Sequence, residues 1–68
     1  MQVICAYCNK RPDEIEEYLE ASAEENLMPD EYVRREEGTY NPDNGHFACT
    51  ECYIRIGMPS SPRGWIAP

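Results

Sequence analysis

Positive charge is scarce in this chain. Six Lys and Arg face thirteen Asp and Glu, for a formal net charge of −7 over 68 residues. Such a balance repels phosphate backbones and disfavours general nucleic-acid binding. Large aromatics are also few, with one Trp and one Phe, so an apolar core alone is thin. A domain of this size buries little surface and usually needs a covalent or metal staple. No apolar run approaches the roughly 20 residues that a membrane-spanning helix requires. The start, Met1-Gln2-Val3-Ile4-Cys5, has no long apolar core of the kind a signal peptide carries. These features together predict a cytoplasmic chain. Histidine is nearly absent too: His46 stands alone, with no nucleophile and orienting partner in the sequence around it to make a catalytic set. No enzyme activity is expected.

What the chain does have is four cysteines in two Cys-x-x-Cys pairs, Cys5-Ala6-Tyr7-Cys8 and Cys49-Thr50-Glu51-Cys52. In a reducing compartment such pairs are metal ligands more often than disulfides or a redox dithiol. Four soft sulfur donors suit one tetrahedral Zn2+ ion held by Cys5, Cys8, Cys49 and Cys52. Four thiolates and one dication would lower the net charge to about −9. A closed four-thiolate site is structural, because catalytic zinc keeps an open position for water.

Val3 and Ile4 lead as a short apolar arm into a knuckle over Cys5–Lys10. Asn9 sits where positive φ is often needed, and Asn tolerates that conformation. Pro12 to about Asn26 is predicted to be an amphipathic helix, with Pro12 and several acids in its first turn. Its expected buried stripe is Ile15, Tyr18, Leu19, Ala23 and Leu27. Pro29 restarts a second helix to Glu37, with Tyr32 and Val33 inward and Gly38 as its C-terminal cap. Arg34 and Arg35, flanked by acids, are expected to form local ion pairs. Thr39–Asn41 and His46–Ala48 flank the turn formers Pro42-Asp43-Asn44-Gly45 and predict a β-hairpin. Cys49 to about Ile56 is predicted to be a helix carrying the second pair in its first turn, ended by Gly57 and Pro59. His46 is expected to pack or hydrogen bond near the metal site without ligating it.

The organisation expected is therefore a four-cysteine metal domain over residues 1–57, with a helical insertion at about 12–37, followed by a Pro-rich tail over 58–68. The tail carries Trp65 and Ile66. Either these fold back on the domain or they anchor a partner.

The order of knuckle, hairpin, then helix bearing the second pair resembles a treble-clef zinc finger, a small metal-stabilised α+β fold. Ile4-Cys5-Ala6-Tyr7-Cys8-Asn9-Lys10 and Phe47-Ala48-Cys49-Thr50-Glu51-Cys52-Tyr53 are similar to the two halves of the N-terminal zinc-binding domain of the unfoldase ClpX. That family has an aromatic inside the first pair and an acid inside the second, and it dimerises and docks adaptors. The match covers fifteen to twenty residues around the metal, and residues 9–48 form a longer gap than that family has. The whole chain also resembles small zinc-finger proteins of actinobacterial phages. A closed four-cysteine site, an acidic surface and an aromatic-tipped tail together predict a non-enzymatic module for protein–protein interaction, as an adaptor or host-factor modulator, present as monomer or homodimer. Two alternatives stand beside it. One is a nucleic-acid-binding finger using Lys10, Arg11, Arg55 and Arg63. The other is a rubredoxin-like iron protein for electron transfer. Rubredoxin knuckles carry Gly after each pair and Pro within the second, where this chain has Asn9, Tyr53 and Thr50.

Overall fold

The computed structural model describes residues 2–62 and 64–68. The elements run β1 (Ile4–Cys5), a 3-10 turn (Pro12–Glu14), α1 (Glu16–Glu24), α2 (Pro29–Glu36), β2 (His46–Phe47) and α3 (Thr50–Arg55). Together they make a small compact α+β fold. β1 and β2 pair in parallel, Ile4 opposite His46 and Cys5 opposite Phe47. A parallel pair requires a long crossover, and α1 and α2 supply it. This is how a 40-residue separation in sequence ends with the two cysteine pairs side by side.

The core is built from Val3, Cys5, Tyr18, Val33, Phe47, Cys49 and Cys52, with Ile15, Tyr32 and Tyr40 packed on it. Tyr18 lies edge-on to Phe47, ring centroids 5.5 Å apart, and Tyr32 leans on Tyr18 at 6.1 Å. The T-shaped Tyr18–Phe47 contact adds to the burial of the rings themselves. Three of the seven core residues are cysteines, so the core is continuous with the sulfur cluster.

The first predicted helix is two pieces. Glu14 and Ile15 donate to the carbonyls of Arg11 and Pro12, closing the 3-10 turn. Ile15 then turns extended, φ −117° and ψ 115°, and serves as N-cap of α1. A β-branched residue adopts this backbone readily. The break moves the buried face: Tyr18 and Ser22 are buried, whereas Leu19 and Ala23 of the expected stripe are exposed. Ser22 is tolerated inside because its hydroxyl donates to the Leu19 carbonyl. α1 ends with Asn26 at φ 56° and Leu27 N–H bonded to Ser22 O, the six-to-one closure of a Schellman motif. α2 starts at Pro29, as expected from the break. It ends without Gly38, because Glu37 caps it in extended geometry and Gly38 is not in the left-handed region. Gly57, at φ 96°, does close α3, with Met58 N–H bonded to Tyr53 O.

The predicted hairpin is replaced by another arrangement. The turn itself forms: Asp43 N–H and His46 N–H donate to the side chains of Asn41 and Asn44, and Gly45 adopts φ 79°. Thr39–Asn41, however, is not a ladder strand. The Thr39 hydroxyl accepts from Ala48 N–H at 2.9 Å, and its single proton is within reach of Ala48 O and Glu37 Oε1. β2 forms its ladder with β1, with Ile4 N–H bonded to Gly45 O and Ala6 N–H to Phe47 O, while His46 O accepts from Asn41 N–H at 2.7 Å without extending into a second ladder.

The segment after α3 lacks regular structure but is seated on the domain. Ala67 is 1% exposed; its N–H donates to Thr39 O and its carbonyl accepts from Asn41 Nδ2. Trp65 packs on Tyr53 with centroids 5.8 Å apart, and Tyr53 Oη donates to Pro59 O. Of the two large apolar residues in the tail, Trp65 folds back on the domain and Ile66 stays 47% exposed.

Candidate metal centre

The knuckle begins where β1 ends. Cys5 N–H bonds to Lys10 O and Asn9 N–H to Cys5 O, which folds Cys5–Lys10 into a tight loop. Asn9 adopts φ 62°, the left-handed conformation expected of it. The second pair straddles the start of α3. Cys49 is the N-cap and Tyr53 N–H closes the first turn on its carbonyl; Cys52 lies one turn in. The site is therefore asymmetric, with one pair on a loop and one on a helix start.

These two elements bring the ligand atoms of Cys5, Cys8, Cys49 and Cys52 within 4.8 Å of one another. Cys8 Sγ and Cys49 Sγ are 3.9 Å apart. Four sulfurs about 2.3 Å from one ion at tetrahedral corners lie about 3.8 Å from each other, so the spacing fits a single tetrahedral ion. It does not fit disulfides, whose sulfurs are about 2.05 Å apart, and all four thiols are free. The four cysteines could thus hold one metal ion. A thiolate donor set of this kind is soft and selects a soft or borderline ion.

The electrostatics of the four thiols differ. Burial raises the Cys5 thiol, but N–H groups of Cys49, Cys8 and Tyr7 aimed at its sulfur more than offset this and bring it down to about 7. Burial pushes Cys49 and Cys52 up. Cys5 is thus the sulfur that the backbone prepares as an anion, and the Cys49 N–H lies 3.5 Å from it. Cys8 is the least buried of the four. It lines a cleft of about 510 Å³ together with Cys49, Cys52, Lys10, Glu14, Glu17, Glu51 and Arg55. Thr50 Oγ1 donates to Glu17 across this cleft and ties α3 to α1.

The other singled-out residues lie away from the sulfurs. His46 is outside the cluster; its Nδ1 is 2.8 Å from Pro68 O. Trp65 is half-buried on Tyr53, and Ile66 is 47% exposed. Arg11 pairs with Asp13 and Glu14, and Arg55 with Glu51, all at exposed positions. Arg34 and Arg35 make no ion pair among the described residues, contrary to expectation, since their side chains leave α2 into solvent. Arg63 falls outside the described residues. The sequence reading missed Glu37. It accepts Tyr18 Oη at 2.5 Å on Oε2 and Thr39 N–H at 3.2 Å on Oε1. Nothing in its local sequence distinguishes it from its acidic neighbours.

Compared with protein-family models, with curated proteins and with solved structures, the chain matches none. No helix among the described residues is long and apolar enough to cross a membrane. The donor set and its geometry carry the functional argument by themselves.

Proposed function

We propose that the chain is a structural zinc-binding module that acts in protein–protein interaction and performs no catalysis. The observation that carries the metal reading is the convergence of Cys5, Cys8, Cys49 and Cys52 within 4.8 Å. Zinc is the ion such a set takes in tetrahedral geometry, and its four sulfurs leave no position for a substrate. A loop-borne first pair and a helix-borne second pair support a treble-clef-like reading, although β2 forms its ladder with β1. The asymmetry favours zinc over the paired knuckles of an iron electron-transfer protein. Native mass spectrometry of protein purified without added metal tests this: one zinc per chain is expected, and a chain carrying iron alone or no metal removes the reading.

The interaction reading draws on surface composition. Ile54, Ile56 and Met58 at the end of α3 and Ile66 in the tail are exposed. Apolar side chains of this size in an acidic chain suit a partner with an apolar groove and a basic rim. Trp65 holds the tail against Tyr53, which leaves Ile66 as the tail's outward contact. Capture of a defined host protein that is lost in Ile54→Glu or Ile66→Glu, with metal content unchanged, supports this role. Equal capture by both variants and wild type excludes these residues as the contact.

A further inference from the structure

We propose that Cys8 is an oxidant-modification site through which a neutral hydroperoxide opens the metal centre, with Cys49 as the sulfur that resolves it. This rests on the metal-site reading above. Three of the four sulfurs belong to residues that are nearly closed off: Cys5 is 0%, Cys52 3% and Cys49 6% exposed. Cys8 is the exception, and it faces the cleft beside the cluster. Of the four ligand residues Cys8 is the one left partly open to solvent, and this makes it the most accessible to a reagent in the cleft. Sulfur oxidation follows access as well as thiolate character.

The cleft also selects the reagent. Its wall carries Glu14, Glu16, Glu17 and Glu51 against only Lys10 and Arg55. Arg55 is already engaged by Glu51 at 3.0 Å. With the thiolates added, the approach is negative, so anionic oxidants are repelled and a small uncharged peroxide is not.

The chemistry closes without another reactant. The Cys8 thiolate sulfur attacks one oxygen of hydrogen peroxide; an S–O bond forms, the O–O bond breaks, and hydroxide leaves with the electron pair. The product is a sulfenic acid that keeps the second peroxide proton. The Cys49 thiolate then attacks the Cys8 sulfur; the S–S bond forms, the S–O bond breaks, and a second hydroxide leaves. Two thiolates have lost two electrons and one peroxide has been reduced to two hydroxides. Cys49 Sγ lies 3.9 Å from Cys8 Sγ, whereas the fully buried Cys5 sulfur is held by the Cys49 N–H. After the second step only Cys5 and Cys52 remain as thiolates. A structural zinc site needs four donors, so the ion leaves and the fold it supports is lost.

The experiment is a hydrogen peroxide titration of metal-loaded protein. Metal release is read with a chromogenic chelator, and the oxidised cysteines are mapped by mass spectrometry with a sulfenic-acid trap. The metal stoichiometry before peroxide reports separately on the underlying metal reading. Cys8 is expected to carry the trapped sulfenic acid, and Cys8–Cys49 to be the first disulfide. Cys8→His keeps a metal donor while removing the oxidisable sulfur, and is expected to slow release about ten-fold or more. First modification at Cys49 or Cys52, release from a metal-loaded Cys8→His at the wild-type rate, or wild-type protein that keeps its metal and four thiols under excess peroxide would each overturn the proposal. Should Cys8→His lose its metal, the mapping on wild type decides alone.

Discussion

The backbone N–H of Cys49 points at the Sγ of Cys5 across 3.5 Å, joining two residues 44 positions apart. The contact links the end of β1 to the start of α3, and so couples the sulfur cluster to the parallel pairing of β1 with β2. A hydrogen bond to a thiolate is stronger than one to a thiol. Deprotonation of Cys5 and closure of the fold therefore favour each other.

Asn9 turns the knuckle at φ 62°. Asn9→Ala is expected to destabilise the metal-loaded chain by about 1 kcal/mol, since a Cβ without a polar group gains nothing in that region. Asn9→Gly should be neutral or slightly stabilising. Chemical denaturation of both variants checks the pair; an Asn9→Ala variant as stable as Asn9→Gly would show that the backbone there is not strained.

Glu37 fastens α2 to α1 and to Thr39. Tyr18→Phe is expected to cost about 1–2 kcal/mol, because a buried hydroxyl bonded to a carboxylate is lost. Glu37→Ala should cost more, since Thr39 is released as well. A double-mutant cycle should return a coupling of about 1 kcal/mol between the two side chains. A coupling near zero would mean that the bond does not contribute.

Tyr18 also sets an alkaline limit. Burial, and then the hydrogen bond to Glu37, raise its hydroxyl well above the ordinary value near 10. The unfolded chain therefore loses this proton first as pH rises. The contribution is fully present below about pH 10 and is lost progressively above it. Unfolding free energy measured between about pH 9 and 11 should fall more steeply in wild type than in Tyr18→Phe. Parallel slopes would contradict the assignment.

The tail is held at Trp65 and Ala67. Trp65→Ala is expected to destabilise by about 1–2 kcal/mol, the cost of exposing half-buried aromatic surface. Its amide spectrum should shift at Thr39, Asn41, His46 and Tyr53 as well as in the tail. Shifts confined to residues 58–68 would show that the tail does not dock as described.

Much of the site was legible because it is written in local chemistry. The cysteine pairs, the left-handed Asn9, the break before Pro29 and the Gly57 cap are each decided by one or two residues. The β1–β2 pairing was not legible, since two-residue strands carry no periodicity and the hairpin signal around Pro42–Gly45 concerned only the turn. The displaced face of α1 depended on Ile15 adopting an extended backbone, which a run of good helix formers conceals. In the tail, Trp65 and Ile66 stand out in the sequence because they are large. The residue sealed in the fold is Ala67, small enough to let the chain approach Thr39 closely.

Binding energy at a four-thiolate site is about 10 kcal/mol or more, comparable with the stability of a whole small domain. Zinc titration into the metal-free chain, followed by amide correlation spectra, tests most directly whether the metal builds this fold. Collapsed, poorly dispersed peaks before metal and a fully dispersed set completed at one equivalent are expected, with Cys52→Ser remaining collapsed. A dispersed spectrum without metal, or one that zinc leaves unchanged, would contradict a fold built on its four sulfurs.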